Sequence, residues 1–180
     1  TMRRLLAALL LALPLVGLAA GAVVSGRYAG LPGGVFKSVL RYEDAKNGVR
    51  IKPFALMRKP VTNADFLAFV KRQPQWQRGN VPKVFAEARY LSHWAGPDTL
   101  GPNALADRPV VWVSWFAADA YCQALDARLA TWNEWEYAAA ADTTRRDARA
   151  DAAWRMRQVN DGTPHAIDAA ADAPANAYGV

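Results

Sequence analysis

Arg108-Pro109-Val110-Val111-Trp112-Val113-Ser114-Trp115 opens the stretch that decides the fold. Ala120-Tyr121-Cys122, Arg128-Leu129-Ala130-Thr131 and Glu134-Trp135-Glu136-Tyr137-Ala138-Ala139 complete it. Pro109–Val113 reads as a compact apolar strand running straight into a helix start at Ser114, whose hydroxyl can accept from an amide of the first turn. Trp115, Phe116, Tyr121 and Leu125 fall on helical faces of a segment reaching about Asp126. Thr131-Trp132-Asn133-Glu134 is a capping box, in which the Thr131 hydroxyl and the Glu134 carboxylate each accept from the other's amide. It opens a second helix over Trp135–Ala141.

Working outward toward the N-terminus, Thr62-Asn63-Ala64-Asp65 is another capping box, with Asp in place of the commoner Glu. Val61 and Phe66 occupy the hydrophobic-staple positions, and Lys71-Arg72 close the helix where its dipole favours cations. Each box stabilises its helix by about 1 kcal/mol. Val35–Leu40 and Val49–Phe54 alternate as short strands, joined near the turn signal Asn47-Gly48. Arg27–Gly34, rich in Gly and Pro, reads as a linker ending in a turn; residues 23–30 are taken as that linker. Gln73–Arg108 carries Pro74, Pro82, Pro97 and Pro102 with little periodicity, so it is mostly loop, pinned by Trp76, Tyr90 and Trp94. Residues 142–158 read as an exposed helix laced with charge pairs, and 161–175 as an Ala/Pro/Asp loop.

At the front of the chain, Met2-Arg3-Arg4 precedes an uncharged apolar run from Leu5 to Val24, and Ala20-Gly21-Ala22 supplies small residues at cleavage spacing. Residues 1–22 are therefore expected to be a signal peptide or an N-terminal anchor, placing the remainder in the periplasm or outside the cell. The run has the length of a membrane span, so contact with a membrane is expected only through residues 5–24, if they stay uncleaved. The net charge of +6 comes from the N-terminal third: residues 1–60 hold ten basic and two acidic side chains, and residues 61–180 hold twelve and fourteen. With a near-neutral body, nucleic acid is not expected as a partner. A hydrophobic fraction of 52% gives ample core material, and one cysteine in 180 residues excludes an internal disulfide framework or a multi-thiolate metal site.

The order and spacing of the 109–115, 120–122, 128–131 and 134–139 motifs resemble the formylglycine-generating enzyme family, also called the sulfatase-modifying-factor family. Leu31-Pro32-Gly33-Gly34-Val35-Phe36, Lys52-Pro53-Phe54 and Pro60–Phe66 are similar to that family's opening turn, first strand and first helix. The resemblance covers about residues 31–180. It implies an α+β, C-type-lectin-like fold with much irregular structure, here incomplete. Ala130 stands where such proteins usually have Pro, and Trp132-Asn133 where they have Glu-Ala. The Trp132 variant, the 98–109 stretch and the charged 142–158 segment resemble a subgroup associated with nitrite-reductase gene clusters. Pro174–Val180 is similar to the start of a further motif that normally continues into Gly-Asn-Val-Trp-Glu-Trp. A domain stopping there would leave apolar surface on helices 114–126 and 131–141.

In the family, the resemblance implies copper(I) held by two thiolates, which oxidises a target cysteine to formylglycine with O₂ and so matures sulfatases. Soft thiolates suit that ion, and this chain has one thiol, Cys122, whose apolar setting predicts a small packed hydrophobe. No catalytic, cofactor-binding or metal-binding residue is therefore assigned, and copper is expected only of a full-length family protein. His93 and His165 are expected to be isolated. Glu134 should cap its helix, and Glu136 should pair with an arginine such as Arg128. Gly33-Gly34 is too short for a phosphate loop, and Trp112, Trp115, Trp132 and Trp135 are expected to pack into the core. Two functions follow. One is an exported formylglycine-generating-type protein whose given residues lack the catalytic cysteines. The other is a non-catalytic periplasmic accessory or binding protein, for instance in copper nitrite reductase maturation. The partner in either case is a protein or peptide, sulfatase-like or a periplasmic oxidoreductase.

Overall fold

A computed structural model describes residues 26–38, 47–160 and 174–180. The proposed export segment, Val39-Leu40 and His165 lie outside the described residues. Four short strands, β1 (Tyr28–Leu31), β2 (Gly34–Phe36), β3 (Val49–Ile51) and β4 (Phe54–Met57), precede four helices, α1 (Asn63–Arg72), α2 (Trp115–Gln123), α3 (Trp132–Ala139) and α4 (Ala152–Asn160). A 3-10 turn lies at Pro74–Trp76. The class is α+β, with a long irregular connection between α1 and α2. Among the described residues no helix is long and apolar enough to cross a membrane.

The strands form two antiparallel pairs. Phe36 lies opposite Val49 and Gly34 opposite Ile51, so the two early strands pair antiparallel as expected. This register makes residues 37–48 the connection and Asn47-Gly48 its last two residues rather than a two-residue turn; residues 39–46 of it lie outside the described residues. Leu31 lies opposite Phe54 and Tyr28 opposite Met57. This second pair corrects two expectations. The 23–30 linker ends in strand β1, where Ala29 and Leu31 alternate inward and are buried, and the single strand read over 49–54 divides at Lys52-Pro53 into β3 and β4. Local sequence hid β1 because Gly30 and Pro32 read as loop, whereas partner β4 supplies its hydrogen bonds. Gly33 makes the sharp passage from β1 to β2 with φ +68, and a Cβ there would collide with the Ile51 carbonyl oxygen.

All three helix starts lie where their capping chemistry places them. Thr62 Oγ1 accepts from the Asp65 amide at 3.1 Å, and Asp65 Oδ2 accepts from the Thr62 amide at 3.2 Å. Ser114 Oγ accepts from the Ala117 amide at 3.1 Å. Pro109–Val113, by contrast, is not a strand. Pro109 forms one isolated bridge with Thr62, the Val110 amide donates to Val61 O, and Trp112 has φ 52, which breaks the extended run. Charge pairs do lace residues 142–151, but helix α4 starts only at Ala152, where Asp151 accepts from the Trp154 amide in the manner of an N-cap. Upstream, Asp142 Oδ1 accepts from the Thr144 and Arg145 amides, a turn that competes with helix.

The main core gathers Phe66, Phe69 and Val70 of α1, Tyr90, Leu91 and Trp94 of the long connection, and Ala117 and Tyr121 of α2. Phe66 is the hub: its ring lies 5.2 Å from Phe69, 5.7 Å from Tyr121 and 6.3 Å from Trp94. Two smaller cores fix α3 on the strands. Ala138 packs on Ala29 and Leu31, and Ala140 on Phe36 and Ile51. Tyr137 spans both, meeting Phe36 edge-on at 5.6 Å and donating its hydroxyl to Gly33 O at 3.0 Å.

Candidate functional site

A groove of about 800 Å³ runs beside β4. One wall is the continuous segment Phe54–Val61, the other is Leu125–Ala130, and Tyr121 and Cys122 of α2 lie between them. Its lining is mainly apolar, with Arg58, Lys59, Asp126, Arg128 and Glu134 also reaching it, and Val180 closes one side. β4 has one paired edge, to β1, in its two-stranded sheet. Its volume and mainly apolar lining suit an apolar ligand or side chains better than a small polar molecule.

The groove is held in shape by ion pairs that also build the helices around it. Arg128 meets Glu134 with two parallel hydrogen bonds of 2.7 Å, and Glu134 Oε2 also accepts from the Thr131 amide at 2.8 Å. These contacts, Arg128 first, hold the Glu134 carboxyl down at about pKa 2 against the opposing effect of its burial. One residue thus caps α3 and clamps the 125–130 wall to it. This corrects the arginine expected for Glu136: Arg128 is taken by Glu134, which the capping geometry turns back toward it, while buried Glu136 interacts electrostatically with Arg149. Across the molecule, Arg27 donates to the Tyr121 hydroxyl at 2.8 Å and pairs with Asp65 at 3.2 Å, tying β1 to α1 and α2.

Cys122 is half-buried against the main core and borders the groove. Burial pushes its thiol pKa up, and Asp119 adds to the effect, so it stays protonated at neutral pH. A two-thiolate copper site does not fit these residues: there is one thiol, it is neutral and packed, and the chain contains no second cysteine. Among the described residues no three His, Cys, Asp or Glu side chains converge at metal-binding distance. His93 is far from isolated; its Nε2 lies 3.2 Å from Asn63 Oδ1.

Asn63 is the functional-looking residue that the sequence concealed. Buried at the first position of α1, it donates from Nδ2 to Leu105 O at 2.9 Å and Arg108 O at 3.2 Å, and accepts at Oδ1 from Trp94 Nε1 at 3.0 Å. Its place inside a capping box gave it a sufficient local role, and nothing nearby in sequence signals the segments it joins. The tryptophans overturn a second expectation. Trp112, Trp115, Trp132 and Trp135 are all exposed, Trp115 by 64% and Trp135 by 56%. Trp132 and Trp135 stand 5.7 Å apart on the outer face of α3, and Trp115 contacts Phe116, which contacts Phe85. Helical spacing marks a face as apolar, but which way it faces is settled by packing elsewhere.

Residues 19–180 match the sulfatase-modifying factor enzyme 1-like domain model. The chain belongs to that family. Two mammalian proteins are similar to it, each named inactive C-alpha-formylglycine-generating enzyme 2. The Mus musculus protein is 32% identical over 141 residues, covering 61% of this chain and 46% of the relative. The Bos taurus protein is 32% identical over 142 residues, covering 61% and 47%. The chain therefore spans about half the length of the curated relatives it matches. Membership of the sulfatase-modifying-factor family agrees with the α+β architecture and with the motif-bearing helices α2 and α3 flanking the groove.

Proposed function

We propose that these residues are the partner-recognition part of an exported, formylglycine-generating-enzyme-like protein, and that they do not carry out its redox chemistry. The observation that carries this reading is the groove itself: a wall that includes strand β4, a mainly apolar lining and a protonated, packed Cys122. Such a site can enclose a peptide, but it offers no thiolate pair to a metal. The partner is a segment of a sulfatase-like protein or of a periplasmic oxidoreductase such as a nitrite reductase, met after export directed by residues 1–22. That both relatives are named inactive supports a non-catalytic role.

Ala55 and Ala130 line the groove with exposed side chains, so Ala55→Trp and Ala130→Trp fill it without disturbing the core. A periplasmic partner retained by the wild-type chain and lost by both variants supports the proposal; equal retention by all three refutes it. The family block at 128–139 favours copper- and O₂-dependent oxidation as the second reading. A cysteine-containing peptide incubated with the protein, copper and O₂ should then lose the mass expected for thiol to aldehyde. That loss, from these 180 residues alone, would displace the recognition reading.

A further inference from the structure

His93 sits where three separate segments meet. Asn63 Nδ2 is committed to the Leu105 and Arg108 carbonyls, which fixes Oδ1 as the acceptor for both Trp94 Nε1–H and His93 Nε2. An amide oxygen has no donor to offer, so His93 Nε2 must carry the proton and Nδ1 must be bare. Nδ1 is buried and has no hydrogen-bond partner among the described residues. The ring also meets Trp112 edge-on at 5.3 Å, and Arg89 lies 4.3 Å over that indole. Arg78 donates to the carbonyls on either side of His93, Leu91 O and Trp94 O, both at 3.1 Å. The charge that acts on the ring is the Arg78 cation; Arg89 lies on the Trp112 indole that the ring meets, and Arg108 is set against Asp107 at 3.9 Å. On α1, Asp65 is engaged by Thr62 and Arg27.

The contact that His93 bridges is backbone-strained. Leu91 and Trp112 both lie in the left-handed region, with φ 48 and 52, and the Leu91 amide donates to Trp112 O at 3.0 Å. Non-glycine residues persist there only while surrounding contacts hold them. We propose that His93 is an acid-released latch: neutral, it closes the 89–94 turn onto Asn63 and the 108–113 segment, and its protonation opens that contact. A second proton would lie on Nδ1, buried, without an acceptor and beside Arg78. Burial first and Arg78 second lower the pKa of His93 from the ordinary 6.5. The opened form, with an ordinary histidine, binds the proton more readily, so the closed form is fully favoured above that value and is lost as pH falls below it.

The test is hydrogen exchange of the Leu91 amide in the full chain, with ring titration of His93 by NMR. Between about pH 7.5 and about pH 5.5 the Leu91 protection factor should fall by up to about tenfold per pH unit, the slope of a single proton. His93 should show the Nε2–H tautomer and titrate below the ordinary value. His93→Gln, which keeps a donor for Asn63 but cannot gain the charge, should hold its protection across the same range, while His165→Gln should behave as wild type. A flat wild-type profile, an equal fall in His93→Gln, or a ring titration at or above the ordinary value would overturn the proposal. If His93→Gln does not fold, the wild-type titration decides alone.

Discussion

Trp94 and Trp135 are the same residue in opposite situations. Trp94 is 2% exposed, packs on Phe66 and gives its indole N–H to Asn63; Trp135 is 56% exposed and touches chiefly Trp132, one turn away. The first belongs to a region where α1, α2 and the long connection converge from three directions. The second belongs to a helix whose inner face is already satisfied by Ala138 and Tyr137 against the strands. An aromatic side chain stabilises a fold only where other elements surround it, so tryptophan content alone is a poor measure of core size.

The largest test of this contrast is Trp94→Ala. It should cost about 3–5 kcal/mol, because it opens a cavity beside Phe66 and removes a donor from buried Asn63, and should appear as a large drop in the urea midpoint. An intermediate effect is expected where local and tertiary contacts share one side chain. Glu134→Gln should cost about 1–2 kcal/mol near neutral pH by loosening the cap and the Arg128 clamp. Because the folded carboxyl is depressed to about 2 from 4.5, the wild-type advantage is complete above about pH 4.5 and lost as pH falls toward 2, so the two proteins should converge in acid. Arg128's guanidinium is largely exposed, which weakens the pair in salt. The smallest effect belongs to the exposed side. Trp135→Ser should change the urea midpoint by less than about 0.5 kcal/mol equivalent while reducing self-association measured by light scattering. A large loss of stability in Trp135→Ser would erase the distinction between the two regions.

The parts of this fold legible in the chain are those whose chemistry closes within a few residues. Thr62, Ser114 and Thr131 each announce a helix, since a cap needs only its own first turn. Asn47-Gly48 marked the approach to β3, where Gly48 has φ 88, but the β2–β3 register leaves residues 37–48 as the connection and not the two-residue turn that the dipeptide suggests. β1 was not legible, because its hydrogen bonds come from β4, across the intervening hairpin. Pro109–Val113 had the composition of a strand and no strand partner. At the groove, the sequence identified Glu134 as a cap and Cys122 as a packed thiol, but not that Glu134 would also hold Arg128.

By itself the sequence determined the family motif, the three capped helices, the basic N-terminal third and the presence of one thiol, because residue identity and near-neighbour spacing fix all of these. Tertiary structure decided which tryptophans are buried, that β1 exists, that Asn63 joins α1 to Leu105, Arg108 and Trp94, and that His93 lies near the Arg78 cation with one nitrogen bare. Those outcomes depend on contacts between residues far apart in the chain, and such contacts are set by how whole elements pack rather than by any local preference.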